Sequence, residues 1–257
     1  MRRPATGVAL SAEQAAAADR GLKAMIPVGR PFLDYVLASL ADAGFTRICL
    51  VIGPDHEPIR RRYAAQLRPT RFELRFAVQL EPRGTADAVL AAEPVTAGEV
   101  FVTVNADNLY PVEALRALRA LGGPGLIGYD PVALVARGNI EPDRIARFAL
   151  IGTTPDGFLD WIIEKPDATR RVPSAECRVP SISMNSWSFG PAIFTACRAI
   201  GPSPRNEYEL QDAVTFAISR LGERFRVLPW SGGVIDLSSR ADIGSVTERV
   251  RDLEVRL

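Results

Sequence analysis

Four short segments of this 257-residue chain carry side chains suited to holding phosphate. Of its 31 basic residues only Lys23 and Lys165 are lysines; the rest are arginines. A chain that writes Arg almost everywhere uses Lys where a compact, flexible ammonium is wanted, and such a point charge is a standard phosphate binder. Lys23 sits in Gly21-Leu22-Lys23-Ala24-Met25-Ile26-Pro27-Val28, and Lys165 in Ile162-Ile163-Glu164-Lys165-Pro166. The third segment is Gln79-Leu80-Glu81-Pro82-Arg83-Gly84-Thr85-Ala86-Asp87-Ala88. Gln79 offers a donor and an acceptor together, which suits a nucleobase edge. Gly84 lets backbone N–H groups approach a ligand, and Thr85 either serves the ligand or caps the helix it opens. The fourth is Val104-Asn105-Ala106-Asp107-Asn108. Mg²⁺ takes a few carboxylates plus phosphate oxygens, so Asp107 is a natural magnesium ligand, although Asp-Asn after a strand is also a common turn.

Simple counts exclude other chemistries. There is one histidine, His56, in a Pro-flanked acidic turn. A zinc site of several histidines is therefore impossible within one chain, and no G-x-S-x-G elbow supports a nucleophilic triad. Cys49, Cys177 and Cys197 fit neither a zinc knuckle nor a disulfide framework; three free thiols suit a reducing, cytoplasmic compartment. Cys49, inside an apolar run, is expected in the core. A net charge of +1 gives no field to draw the molecule to nucleic acid or membrane. No stretch approaches the ~18 apolar residues of a membrane span, and the run after Met1-Arg2-Arg3 is short for a signal peptide.

These segments need a scaffold. From residue 30 to about 130, helix-like and strand-like segments alternate. Helical patterns cover 31–43, 55–67, 85–93 and 111–121; strand patterns cover 47–52, 72–79, 100–104 and 125–129. That order predicts an α/β fold with a mostly parallel, Rossmann-like sheet flanked by helices. In open α/β sheets ligands bind beyond the carboxyl ends of the strands, which is where Gln79–Thr85 and Asn105–Asn108 fall. The second half predicts strands over 146–151 and 158–164 around a Pro155-Asp156-Gly157 turn. Helices follow over 191–200 and 207–221, then a strand over 225–228 stopped by Pro229, and a last helix from about Arg240. Ser11 and Gln14 form a capping box that starts a short helix over 12–20.

Taken in order, these motifs resemble those of the sugar-phosphate nucleotidyltransferases, the family of glucose-1-phosphate thymidylyl- and uridylyltransferases and mannose-1-phosphate guanylyltransferases. The matching segments are Lys23 to Pro31, Gln79 to Ala88, Ala106-Asp107-Asn108, Glu164-Lys165-Pro166, Asn185-Ser186-Trp187, Glu209 to Asp212, and Asp236. The resemblance spans roughly residues 21 to 245. It implies a single nucleotidyltransferase domain over 1–257, with a nucleotide-binding half (21–130) and a sugar-phosphate-binding half (131–257). It implies Mg²⁺-dependent attack of a sugar-1-phosphate oxygen on the α-phosphorus of a nucleoside triphosphate, with pyrophosphate leaving; such a reaction needs positioning and charge neutralisation more than acid–base groups. Asp107 and Asp236 would hold Mg²⁺, Lys23 would meet the triphosphate, and Lys165 the sugar phosphate. Gln79, Gly84 and Thr85 would line the nucleotide, and Glu164 and Asn185 the sugar. Assembly into a homo-oligomer is consistent with the family.

The chain departs from that pattern in places. The family opens with a buried central strand and a Gly-rich loop that wraps the triphosphate; Met1-Arg2-Arg3-Pro4-Ala5-Thr6 resembles only the tail of that loop. Without such a strand, its neighbours lack hydrogen-bond partners and the core is open. A protein made strictly from this sequence is therefore expected to have weak or no transferase activity. Trp187 stands where the family has Gly, and its indole is expected to reshape the sugar pocket. Phe148-Ala149 replaces a Tyr-Gly pair, and the segment around Asp236 is irregular. The competing readings are a non-catalytic or truncated relative that binds a nucleotide or partner, and a nucleotide-sugar-dependent glycosyltransferase; the Lys23 and Glu164-Lys165-Pro166 segments argue against the latter.

Overall fold

The structure, a computed structural model, describes residues 10–164 and 180–257. The predicted capping box starts α1 (Ala12–Asp19): the Gln14 amide N–H donates to the Ser11 hydroxyl, and the Ser11 N–H donates to the Gln14 side chain. The Gln14 side chain also donates to the Pro27 carbonyl at 2.9 Å, which ties α1 to the Lys23 segment. There Lys23–Met25 forms one 3₁₀ turn. Helix α2 (Phe32–Asp42) ends at Gly44, whose φ of +88° admits the left-handed turn. Strand β1 (Arg47–Ile52) leads to α3 (Glu57–Arg60).

The helix predicted over 55–67 is split. After α3 the chain widens into a π-helical stretch, Arg61–Leu67. Here the neighbours Arg62 and Tyr63 both reach the buried Asp34 of α2, the tyrosine hydroxyl at 2.6 Å and the guanidinium through two nitrogens.

Then come β2 (Glu73–Val78), α4 (Thr85–Ala91), α5 (Glu93–Thr96), β3 (Phe101–Thr103), β4 (Asn108–Leu109), α6 (Val112–Ala120) and β5 (Gly125–Tyr129). Helix α7 (Pro131–Arg137) was not foreseen; the Asp130 carboxylate starts it by accepting the Ala133 N–H at 2.8 Å. The second half contains β6 (Ala149–Thr153), β7 (Leu159–Ile163), β8 (Ser181–Ser183), β9 (Trp187–Phe189), α8 (Ala192–Ala199), α9 (Leu210–Leu221), β10 (Arg226–Trp230), β11 (Ile235–Asp236) and α10 (Asp242–Val250). The strand predicted to begin at Ala146 begins at Ala149, because Pro142–Arg147 winds into a 3₁₀ turn. Pro229 does not stop β10, which runs on to Trp230. Among the described residues the strand pairs along its length with β5, and its other edge meets the chain only at an isolated bridge from Arg226 to Phe158, so Pro229 lies beyond that contact and its missing N–H breaks no ladder bond.

The sheet is more mixed in direction than the alternation suggests. β1–β2 and β5–β10 are parallel, whereas β9, β8, β6 and β7 join their neighbours antiparallel. β11 lies antiparallel on β4. One apolar core packs α2, α6, α10 and the Lys23 segment; a second joins α4, α8, α9 and β9.

Between the sheets lies a cavity of about 600 Å³, walled by Leu33, Leu37, Ile48, Val89, Val102 and Val104 among others. Among the described residues β1 pairs only with β2, and β3 only with β9, so two strand edges lack partners here. Cys49 belongs to the cavity wall and is half-buried rather than central.

Candidate active site

Folding brings Lys23 and Asp107 together from 84 residues apart. The ammonium Nζ donates to Asp107 Oδ2 at 2.8 Å, with both side chains partly open to solvent. Asp107 follows β3 in a turn closed by Asn108 N–H donating to the Asn105 carbonyl. The turn is held from behind: the Asn105 N–H donates to the Tyr110 hydroxyl, which itself donates to the Met184 carbonyl at 2.6 Å. Complete burial keeps the Tyr110 hydroxyl protonated, far above its usual range, so it remains a donor.

The β4–β11 pair sets Asp236 opposite Asn108, and the Leu237 N–H donates to the Asp107 carbonyl at 2.9 Å. The two carboxylates predicted to bind metal are therefore neighbours. Their surroundings differ. Asp236 is 2% exposed. Its Oδ1 accepts from Asn108 Nδ2 (2.8 Å) and Ser238 Oγ (2.7 Å), and its Oδ2 pairs with Arg144. Burial raises the Asp236 carboxyl above its ordinary value, opposed by the Ser238 hydroxyl and Arg144 and assisted by the charge of Asp107. Among the described residues Asp107 gives up only Oδ2, to Lys23, which leaves its second oxygen for a cation. Oxygen donors of this kind suit Mg²⁺.

The Gln79 segment is a brace as well as a wall. Gln79 Nε2 donates to the Gly84 carbonyl (3.0 Å) and to Asp87 Oδ2 (2.9 Å), leaving Oε1 as the acceptor. Gly84 has φ +118° and ψ 178°, a conformation open to glycine alone. A Cβ there would stand 2.5 Å from the Tyr208 carbonyl oxygen. The close approach allows two backbone bonds, Ala86 N–H to the Tyr208 carbonyl (2.9 Å) and Tyr208 N–H to the Arg83 carbonyl (2.7 Å). Thr85 does not cap its own helix. Its hydroxyl accepts the Leu210 N–H at 2.9 Å and so caps the first turn of α9.

Asn185 is left-handed, φ +56°, and its Oδ1 accepts from Gln211 Nε2 at 3.1 Å. It borders the inter-sheet cavity beside Asn105 and Ala106. Glu164 closes β7 and lies 4.0 Å from Arg205, which binds Glu209 more tightly at 2.6 Å. Lys165 lies outside the described residues. Trp187 corrects the sequence reading: it is fully buried on β9 against Phe189 and Phe225, ring centroids 5.7 and 6.0 Å away, and among the described residues it presents no surface to a ligand. Apolar stacking in the second core outweighs its indole N–H, which has no partner among the described residues. Arg144, Asn139 and Arg205 were not singled out from sequence. In a chain so rich in arginine, residue type carried no signal.

Comparison with known proteins places this architecture. The nucleotidyl transferase family model matches residues 18–228, and the chain belongs to that family. Among its relatives, UTP–glucose-1-phosphate uridylyltransferase AglF of Haloferax volcanii is 27% identical over 239 residues, covering 90% of this chain and 88% of the relative. The bifunctional protein GlmU of Azorhizobium caulinodans is 32% identical over 195 residues, covering 74% of this chain but 40% of that protein. Glucose-1-phosphate thymidylyltransferase of Mycolicibacterium smegmatis is 23% identical over 239 residues, covering 91% and 76%. A crystal structure of UDP-glucose pyrophosphorylase complexed with UDP-glucose shares the fold, with a TM-score of 0.70 at 17% identity over 90% of this chain and 91% of that one. Among the described residues no helix is long and apolar enough to cross a membrane.

Proposed function

We propose that the chain transfers a nucleotidyl group from a nucleoside triphosphate to a sugar-1-phosphate, releasing pyrophosphate. The observation that carries this is the 2.8 Å contact between Lys23 and Asp107 in the turn after β3, beside the β4–β11 pair that carries Asp236. The sugar-phosphate oxygen attacks the α-phosphorus, the bond to the β-phosphate oxygen breaks, and pyrophosphate leaves. The Lys23 ammonium exchanges its carboxylate contact for triphosphate oxygens, where a fixed positive charge offsets the charge that builds up. Asp107 would hold Mg²⁺, which when bound supplies further neutralisation at the phosphates. Gln79, with Nε2 committed to the loop, presents Oε1 as an acceptor for an N–H of the base, and Gly84 lets the backbone lie close to it. Glu164 and Asn185 contact the sugar, and Lys165 its phosphate, as the family resemblance implies.

The test measures pyrophosphate release across a panel of nucleoside triphosphates and sugar-1-phosphates with Mg²⁺. The expected result is slow release with at least one pair, and a fall of roughly a hundredfold or more in kcat for Lys23→Ala. No release with any pair refutes the reading. Triphosphate binding without release supports the non-catalytic alternative instead.

A further inference from the structure

The surroundings of Asp236 do not fit an open metal ligand. Three donors already occupy its two oxygens: Asn108 Nδ2, Ser238 Oγ and the Arg144 guanidinium. Arg144 comes from the 3₁₀ turn Pro142–Arg147, is 14% exposed, and bridges a second buried carboxylate, Asp242, at 2.7 Å. The other oxygen of Asp242 accepts the Ser239 N–H at 2.7 Å. A planar guanidinium suits this task, since its fixed N–H fork can serve two carboxylates at once. Mg²⁺ demands near-ideal octahedral geometry at about 2.0–2.1 Å, so it would have to displace Arg144 from Oδ2, or Asn108 and Ser238 from Oδ1, to reach Asp236. The guanidinium would then keep only Asp242 of its two buried partners.

We propose that Arg144 is a built-in counter-cation for Asp236. It fixes the Asp236 carboxylate as a positioning group for the Asn108–Asp107 turn and leaves the divalent cation to Asp107. The backbone shows how position is transmitted. Asn108 binds Asp236 through its side chain, Leu237 donates to the Asp107 carbonyl, and Asn139 clamps Asp236 through its backbone N–H and C=O at 2.7 and 2.9 Å. Charge supports the same division. Among the described residues Asp107, Asp236 and Asp242 pair only with Lys23 and Arg144, which leaves one negative charge, and the carboxylate with room beside it is Asp107. The inference rests on the nucleotidyltransferase reading for the purpose of the metal, but not for the contacts.

The experiment needs no turnover. Mn²⁺ alone is titrated into the protein, bound ion is followed by the loss of its free electron-paramagnetic-resonance signal, and Tm is recorded alongside. Wild type and Asp236→Asn should give the same Mn²⁺ titration within about twofold. Arg144→Met should bind Mn²⁺ at least about tenfold more tightly than wild type and show a Tm that rises with Mn²⁺. The double variant Arg144→Met/Asp236→Asn should lose that gain. A tenfold loss of Mn²⁺ binding in Asp236→Asn alone would overturn the proposal, because the ion would then displace the guanidinium in the wild type. So would a folded Arg144→Met that takes up no more Mn²⁺ than wild type. If Arg144→Met does not fold, the comparison of wild type with Asp236→Asn decides alone. Failure of pyrophosphate release leaves these readouts unaffected, so the two readings fail separately.

Discussion

Gly84→Ala tests whether the loop after β2 is built on backbone proximity. The alanine Cβ would stand 2.5 Å from the Tyr208 carbonyl oxygen and 2.6 Å from the Tyr208 nitrogen, distances that real Cβ atoms do not adopt. Tyr208 is backbone, so it cannot swing aside as a side chain would. A non-glycine residue in this region of φ/ψ costs about 1–3 kcal/mol. Separating the loop from Tyr208 also stretches the Ala86 and Tyr208 hydrogen bonds, worth about 1 kcal/mol each. Against this, alanine restricts the unfolded chain and returns about 0.4–1 kcal/mol. The net loss is about 3 kcal/mol, which in a chain of this size lowers Tm by roughly 6–12 °C. Gly98→Ala is the control. Its φ is +77°, but nothing lies within 4 Å of the added Cβ, so only the backbone term remains. Thermal unfolding followed by circular dichroism, with urea midpoints in parallel, should rank wild type above Gly98→Ala and that above Gly84→Ala. Equal Tm values for the two variants would refute the claim that Tyr208 limits this position.

Three further outcomes follow from the same contacts. Thr85→Val should lower stability by about 1 kcal/mol, since the Leu210 N–H loses its acceptor, while Thr85→Ser should stay near wild type; identical urea midpoints for Val and Ser would refute the cap. Asp34→Ala should cost about 3 kcal/mol, toward the lower end for a broken buried pair because Arg62 is a quarter exposed; a change below 1 kcal/mol would show that the Arg62–Tyr63 contacts are incidental. Burial pushes the Cys197 thiol up to about 12, so at pH 8 only about one molecule in ten thousand carries the thiolate. In a Cys177→Ser background, Cys197 should react with a disulfide reagent only as fast as the protein unfolds, and rapid modification of the native chain at Cys197 would contradict its packing.

Much of this protein is local, and local features were legible in the sequence. The Ser11 capping box, the Gly44 helix stop and the Gly157 turn depend on residues within a few positions of each other, so type and spacing suffice. The periodicity of 31–43 and 111–121 likewise predicts α2 and α6 to within a residue or two. The order of chemical motifs led to the nucleotidyl transferase family, because phosphate chemistry restricts which residue types serve at each place. What tertiary structure decided is how those residues are used. Thr85 and Leu210 are 125 positions apart, and only packing of α4 against α9 turns the threonine into another helix's cap. Trp187 changed from a pocket residue to a core residue because β9 faces it into an aromatic cluster. Asp236 and Asp107 resemble one another in sequence, each an acidic residue near a strand. The fold buries one beneath Arg144 and leaves the other partly open beside Lys23. A carboxylate's partners come from distant segments, and no local pattern encodes which cation reaches it first.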